Sequence, residues 1–295
     1  MKITGKTKVI GIFGDPVEHS LSPLLHNAVI NELGLDMVYV PWRVRTAMLE
    51  DAVTAVRALG LAGVNLTIPH KEKVLPYLDK LDVEAEIIGA VNTVVNNDGI
   101  LIGYNTDGDG LAMSLHKEHG FSPAGKKITI IGAGGAARGI AASMAMQGAK
   151  QIYIANRTPL KAVKLAREFS DRMVNTAAGR KTFFIGIGFE AGELKKILKD
   201  TDLLVNASSA GMGGMNNLDL PLRALSKEAV VSDIVYKPVQ TKLLTDAADI
   251  GLRIENGLGM LACQGAMAFS LWTGQEPPVE IMRKVLDKEV KKSGN

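Results

Sequence analysis

Residues 129–158 read TIIGAGGAARGIAASMAMQGAKQIYIANRT: an apolar run, a glycine turn, an Ala-rich helical stretch, and a second apolar run that closes on Asn156-Arg157-Thr158. In a βαβ unit that binds a dinucleotide, the first turn needs glycine so that the backbone bends tightly and the amide N–H groups at the helix N-terminus can approach a pyrophosphate. Gly132, Gly134 and Gly135 supply that turn. About 20 residues further on, an acidic side chain would hydrogen-bond a ribose 2′-hydroxyl and favour NAD. Here the position holds Asn156, Arg157 and Thr158, a guanidinium between two neutral hydrogen-bonding groups, which suits a 2′-phosphate where a carboxylate would repel it. The spacing points to NADP(H). The same glycines would also serve a plain strand-to-helix turn with Arg157 on a surface loop; the apolar KKITII before the turn and IYIA after the helix favour the dinucleotide reading.

Size and composition set the frame for that unit. A chain of 295 residues exceeds one typical domain and predicts two, of roughly 100 to 150 residues each. Apolar residues make up 46 % and charged ones 22 %, an ordinary balance for a soluble protein. The net charge of +3 comes from 34 basic and 31 acidic residues spread without a run of five like charges, which gives no support to nucleic-acid binding. One cysteine, Cys263, excludes an intramolecular disulfide and a cysteine-based zinc site, and no other metal-ligand cluster stands out. That usage fits a reducing compartment and a cytoplasmic location. The opening MKITGKTKVIGIFG is too short in its apolar run and too interrupted by glycine for a signal segment, and no membrane span is expected.

Before the glycine turn, strand-like and helical patterns already alternate: VIGIFG, LSPLLHNAVINEL, MVYVPWRV, AMLEDAVTAVRAL and AGVNLTI. Such interleaving predicts an α/β domain with a mainly parallel sheet. NTVVNNDGILIGYN at 92–105 reads as a hairpin turning at Asn97-Asp98-Gly99. A helix from about Gly108 leads into the second domain. There FFIGIG, DLLVNAS and AVVSDIVY add further strands, consistent with a doubly wound, Rossmann-type sheet. From about Met260 the pattern returns to helix, and these last helices are expected to complete the first domain. The organisation expected is 1–107 with 259–295 as one discontinuous domain and 108–258 as the other, with a ligand cleft between them.

Four polar groupings fall at predicted strand ends, where open α/β sheets place ligands. Ser20-Leu21-Ser22-Pro23 precedes a helix; the serines suit an N-cap, and two hydroxyls at a helix N-terminus also suit a carboxylate. Asn65-Leu66-Thr67-Ile68-Pro69-His70-Lys71 offers a lysine that is either a solvated surface charge or a general acid or base. Gly89-Ala90-Val91-Asn92-Thr93 and Gly103-Tyr104-Asn105-Thr106-Asp107-Gly108 carry amides and a carboxylate that serve as turn formers or as partners for a polyhydroxylated ligand.

In order along the chain, S-L-S-P, N-L-T-I-P-H-K, G-A-V-N-T, G-Y-N-T-D-G, G-A-G-G-A-A-R, N-R-T, N-A-S-S-A-G-M, D-I-V-Y-K-P and G-L-G-M-L-A-C-Q-G-A resemble shikimate dehydrogenase over essentially the whole length. The resemblance implies a substrate-binding and catalytic first domain and an NADP-binding second one. It implies that Ser20 and Ser22 hold the substrate carboxylate, with Tyr236 on the same side. Thr67, Asn92, Asp107 and Gln264 would meet the ring hydroxyls. Lys71 and Asp107 would form the catalytic pair, Lys71 shuttling the hydroxyl proton. A neighbouring carboxylate favours the ammonium form, so the choice between base and electrostatic stabiliser for Lys71 stays open. The cofactor contacts implied are Gly132, Ala133, Gly134, Gly135 and Ala136 at the turn, Asn156, Arg157, Thr158 and Lys161 at the 2′-phosphate, and Ile234 and Gly257 near the nicotinamide. One departure stands out. Nine positions before Asn92, where many relatives carry an acidic or polar residue near the nicotinamide, this chain has Val83.

The activity implied is the NADP-dependent, reversible reduction of 3-dehydroshikimate to shikimate in aromatic amino-acid biosynthesis, by a monomer or a homodimer. Two alternatives stand beside it: a quinate/shikimate dehydrogenase with relaxed NAD/NADP choice, and a catalytically silent, ligand-sensing regulator on the same fold.

Overall fold

The computed structural model describes residues 3–174, 176 and 182–293. The chain divides into two compact units, Met1–Gly110 with Leu261–Asn295, and Leu111–Met260. Both crossings fall inside helices rather than in linkers.

The first unit holds β1 (Lys8–Gly14), α1 (Ser22–Glu32), β2 (Met37–Arg43), α2 (Leu49–Ala58), β3 (Gly63–Leu66), β4 (Lys80–Leu81), α3 (Val83–Ile88), β5 (Thr93–Asn97), β6 (Ile100–Tyr104) and the start of α4 (Asp107–His119). Its strands run in the order β2-β1-β3-β5-β6-β4. The β1–β2, β1–β3 and β4–β6 pairings are parallel. β5 is antiparallel to both β3 and β6. The Asn97-Asp98-Gly99 turn between β5 and β6 has positive φ at Asp98 (49°) and Gly99 (92°), the backbone that a two-residue hairpin of matching twist requires. The two-residue β4 has no counterpart in the sequence reading, because so short a run carries no period.

The second unit continues α4 and adds β7 (Lys127–Ile131), α5 (Gly135–Met146), β8 (Gln151–Ala155), α6 (Pro159–Met173), β9 (Phe183–Ile187), α7 (Ala191–Leu198), β10 (Leu203–Asn206), β11 (Val230–Asp233), α8 (Lys242–Asp249), β12 (Arg253–Glu255) and the first turn of α9 (Gly257–Thr273). The strand order is β12-β11-β10-β7-β8-β9, and every pairing is parallel. Counted within the unit this is 6-5-4-1-2-3, the doubly wound Rossmann order, with its reversal between β7 and β10. Apolar strands such as Ile128, Ile130 and Leu203–Val205 are fully buried, as a parallel sheet covered on both faces demands. Among the described residues no helix is long and apolar enough to cross a membrane.

The rest of α9 and α10 (Val279–Ser293) belong to the first unit. Gly63 is the device that seats α9 on the sheet: a Cβ there would lie 2.2 Å from Val94 O and 2.3 Å from the Trp272 indole nitrogen. With only hydrogen at that point, Trp272 Nε1 donates to Val94 O at 2.9 Å. Nearby, His26 of α1 stacks on Tyr39 with ring centroids 4.3 Å apart and lies 6.3 Å from Phe269. Its ring is fully buried and neither nitrogen has a hydrogen-bond partner.

Two buried groups make the stability of the units depend on pH in opposite senses. Burial pushes the His26 pKa from 6.5 down to about 3. The unfolded imidazole takes a proton first, so the first unit keeps its full stability above pH 6.5 and loses up to about 1.4 kcal/mol per pH unit as pH falls toward 3. Both tryptophans, Trp42 and Trp272, lie in this unit, so urea titrations followed by their fluorescence should show a smaller loss between pH 7.5 and 5 for His26→Phe than for the parent. Equal losses would contradict the assignment. In the second unit, burial raises the Asp233 carboxyl from 3.8 to about 6, against hydrogen bonds from Thr241 (2.7 Å), the Val235 N–H (3.0 Å) and Asn206 (2.9 Å). The folded unit therefore holds this proton more tightly than the unfolded chain, and that contribution is lost as pH rises through about 6. Carboxyl ¹³C NMR should place the Asp233 midpoint near 6; a midpoint near 3.8 would refute it.

Candidate active site

The polar groupings of the first unit converge because β5 runs against its neighbours. β3 and β6 end where β5 begins, with Asn65 opposite Thr93 and Thr93 opposite Tyr104. The residue entering β5, Asn92, is thereby set between the ends of two strands: its carbonyl accepts from the Leu66 N–H at 2.8 Å, and its N–H donates to Tyr104 O at 3.0 Å. The turn after β3 folds back so that the Val91 N–H donates to Lys71 O at 2.8 Å. After β6 the chain enters α4 at Asp107, whose carboxylate sits in the helix's first turn, where the free N–H groups favour negative charge.

Lys71 Nζ forms an ion pair with Asp107 Oδ2, and the two side chains are 16 % and 5 % exposed. The other carboxylate oxygen, Oδ1, accepts from Asn92 Nδ2 at 2.9 Å. The same amide nitrogen lies 2.9 Å from Thr106 Oγ1 and 3.4 Å from Gln264 Oε1. Thr106 Oγ1 donates to the Gln264 carbonyl at 3.1 Å, which ties α9 to the strand ends. Gly110 allows that approach, since a Cβ there would stand 2.6 Å from Gln264 Cβ. Lys71, Asn92, Asp107 and Gln264 thus form one linked group. A buried carboxylate flanked by a lysine and an amide donor is equipped to accept a hydrogen bond from a hydroxyl and to fix an ammonium beside it.

Ser20 and Ser22 follow β1. The capping expected of them takes a different form: Leu21 is the N-cap of α1 and no side chain caps the helix. Instead Ser20 Oγ accepts from the Ser22 N–H at 3.3 Å, because Ser22 is already the first helical residue. Thr67 stands at the end of β3 against Gly14, where a Cβ would come within 2.4 Å of its methyl. His70, adjacent to Lys71, is turned inward and bonds Val44 O at 2.7 Å. Val83 opens α3 as an exposed apolar side chain with no hydrogen-bonding group.

In the second unit, Gly132 has φ +117°, and a Cβ there would press on Ala207 O at 3.0 Å. The turns after β7 and β10 therefore meet at the reversal of strand order, the place where doubly wound sheets bind ligands. Gly134 is the N-cap of α5 without a side-chain cap, and a Cβ there would face open space. The first N–H groups of an α-helix have no partner within it, so those of Gly135 and Ala136, with Ala133 beside them, could hold a pyrophosphate. After β8, Asn156 Nδ2 donates to Thr158 O at 3.1 Å, while Arg157, Thr158 and Lys161 are exposed around the start of α6. These donors suit a phosphate monoester. Gly257 and Ile234 are brought together, since a Cβ on Gly257 would lie 2.3 Å from Ile234 O. Tyr236, half-buried, follows Asp233, whose hydrogen bonds with Val235, Thr241 and Asn206 anchor this loop. Asn65, Thr93 and Thr106 fall within the polar groupings of the sequence, which assigned them no role of their own in the site. Asn65 and Thr93 are polar residues bordered by the apolar runs of β3 and β5, Thr106 lies in the polar stretch between β6 and α4, and all three are buried.

Comparison with known proteins bears on the same residues. Residues 12–94 match a family model described as the shikimate dehydrogenase substrate binding domain. Residues 114–213 match one for shikimate / quinate 5-dehydrogenase, and 257–286 one for the shikimate 5′-dehydrogenase C-terminal domain. The shikimate dehydrogenase (NADP(+)) of Desulforamulus reducens is 46 % identical over 293 residues, 99 % of this chain and 98 % of that protein. The crystal structure of Listeria monocytogenes shikimate 5-dehydrogenase in complex with shikimate and NAD is 41 % identical, with a TM-score of 0.86 over 97 % of this chain and 98 % of that one. The fold also carries other chemistry: ligand-free 5-ketofructose reductase of a Gluconobacter strain is 35 % identical with a TM-score of 0.83, over 97 % of this chain and all (100 %) of that one. With these matches along nearly its whole length, the chain belongs to the shikimate dehydrogenase family.

Proposed function

We propose that this protein interconverts 3-dehydroshikimate and shikimate with NADP(H), a reductive step of aromatic amino-acid biosynthesis. The observation that carries the reading is the Lys71–Asp107 pair, half-buried at the lysine and buried at the carboxylate and bound through Asn92 to Gln264, in a chain whose other unit follows its second strand with Asn156-Arg157-Thr158. When bound, NADPH supplies the hydride and NADP⁺ accepts it. The turn from Gly132 through Ala133, Gly134 and Gly135 to Ala136 would hold the pyrophosphate. Asn156, Arg157, Thr158 and Lys161 would hold the 2′-phosphate, and Ile234 and Gly257 would border the nicotinamide.

On the substrate, Ser20 and Ser22 bind the carboxylate with Tyr236 on the same side, and Thr67, Asn92, Asp107 and Gln264 meet the ring hydroxyls. Reduction of the ketone needs a proton for the oxygen that gains charge. Lys71, held beside Asp107, gives that proton; in oxidation the lysine takes the hydroxyl proton back. Asp107 accepts a hydrogen bond from the reacting hydroxyl and aims Nζ at it. Cys263 as the single cysteine suits a cytoplasmic location, and the reading is compatible with a monomer or a homodimer.

Arg157 counts against a strict NAD enzyme, and the linked Lys71 and Asp107 count against a silent regulator. Lys71→Ala should lower kcat by about a hundredfold or more while changing shikimate affinity little, the signature of a group needed in the transition state. An unchanged kcat would remove Lys71 from the mechanism. Arg157→Ala should raise the KM for NADP⁺ about tenfold or more and leave that for NAD⁺ nearly unaltered. Equal losses with both cofactors would overturn the 2′-phosphate assignment.

A further inference from the structure

The side-chain amide of Asn92 is buried, 2 % exposed, and everything it does for Asp107 depends on which of its two ends faces the carboxylate. Its Oδ1 accepts from the Thr106 N–H and from Thr93 Oγ1, each at 2.9 Å, so its Nδ2 is the end turned to Asp107. Thr93 Oγ1 in turn accepts from Asn65 Nδ2 at 3.0 Å, which leaves its own proton for Asn92. Asn65 is fixed as well. Its Nδ2 lies 3.1 Å from the Asn92 main-chain carbonyl, which can only accept, so its Oδ1 faces Tyr39 and the tyrosine hydroxyl must donate to it at 2.8 Å.

The outcome is a chain with one direction: Tyr39 O–H to Asn65, Asn65 N–H to Thr93, Thr93 O–H to Asn92, Asn92 N–H to the Asp107 carboxylate. Tyr39, Asn65 and Thr93 are buried, at 2 %, 5 % and 0 % exposure. Buried polar groups of this kind cost stability that apolar side chains would not, and hydrogen bonds aligned head to tail polarise one another. We propose that Tyr39, Asn65 and Thr93 are positioning residues, a one-way hydrogen-bond chain that holds Asn92 with its amine toward Asp107 and so keeps the carboxylate an acceptor aimed at Lys71 and the reacting hydroxyl. This rests on the assignment of Lys71 and Asp107 as the catalytic pair.

The test is steady-state oxidation of shikimate by NADP⁺ with the full chain, each kcat referred to folded enzyme. Thr93→Val keeps the shape and removes the donor; kcat should fall about tenfold, as for a lost hydrogen bond to a charged network, with the KM for NADP⁺ within about twofold of the parent. Thr93→Ser restores the hydroxyl and should return kcat to within about threefold of the parent. Tyr39→Phe, at the far end of the chain, should cost about two- to threefold. A purely structural role would lower thermal stability and leave kcat of the folded fraction untouched, so a parent-like kcat in Thr93→Val, or a serine that fails to restore it, overturns the proposal. Should the valine variant not fold, Tyr39→Phe decides, and a parent-like kcat there overturns it too. A parent enzyme that does not oxidise shikimate, or a Lys71→Ala variant with full kcat, refutes the underlying assignment. An active parent and an inactive Lys71→Ala beside an unaffected Thr93→Val would refute the hydrogen-bond chain alone.

Discussion

A carboxylate removed from water needs an opposite charge and hydrogen bonds in place of its hydration. Asp107 is 3 % exposed, and the architecture of the first unit around it can be understood as the answer to that requirement. Lys71 brings the charge, Asn92 the first donor, and the Asp107 N–H is itself held by Asn105 Oδ1 at 3.1 Å. Asn105 is anchored to Ala90 O at 2.9 Å, so the segment before β5 and the segment after β6 are stitched together around the acid.

Such stitching is possible because the sheet of the first unit reverses direction in the middle. In a fully parallel sheet the residue entering a strand lies at the end opposite to the ligand crevice. β5 runs the other way, so its entry residue Asn92 stands beside the exits of β3 and β6, and residues distant in sequence, Lys71, Asn92 and Asp107, become neighbours. The second unit solves a different problem by the opposite means. All its pairings are parallel, every strand exits on the same side, and the uncapped start of α5 meets the turn after β10 where the order reverses. On the proposed function, one sheet gathers side chains for proton chemistry and the other offers backbone N–H groups to a phosphate.

Much of this was legible in the amino-acid sequence. The glycine turn, the alternation of apolar runs and the Asn97-Asp98-Gly99 hairpin are local signals, each set by the backbone needs of a few adjacent residues, and the β5–β6 pairing and the α5 start fall where those signals put them. One edge strand of each sheet was not legible: β4 and β12 span 2 and 3 residues, too short to show a period. Nor was the form of the serine motif, where a capping preference lost to a bond between Ser20 and the Ser22 backbone. The buried support beneath Asp107 escaped for another reason. Asn65 and Thr93 lie 28 residues apart and meet only through strand register, which no local pattern encodes.

The central claim, shikimate as substrate and NADP as its redox partner, is tested most directly by measuring kcat/KM for shikimate and for quinate, each with NADP⁺ and with NAD⁺, from the absorbance of the reduced nicotinamide. The account predicts a clear maximum for shikimate with NADP⁺. Comparable values with quinate or with NAD⁺ would contradict the assigned specificity, and no turnover in any of the four combinations would contradict the assignment of an enzyme.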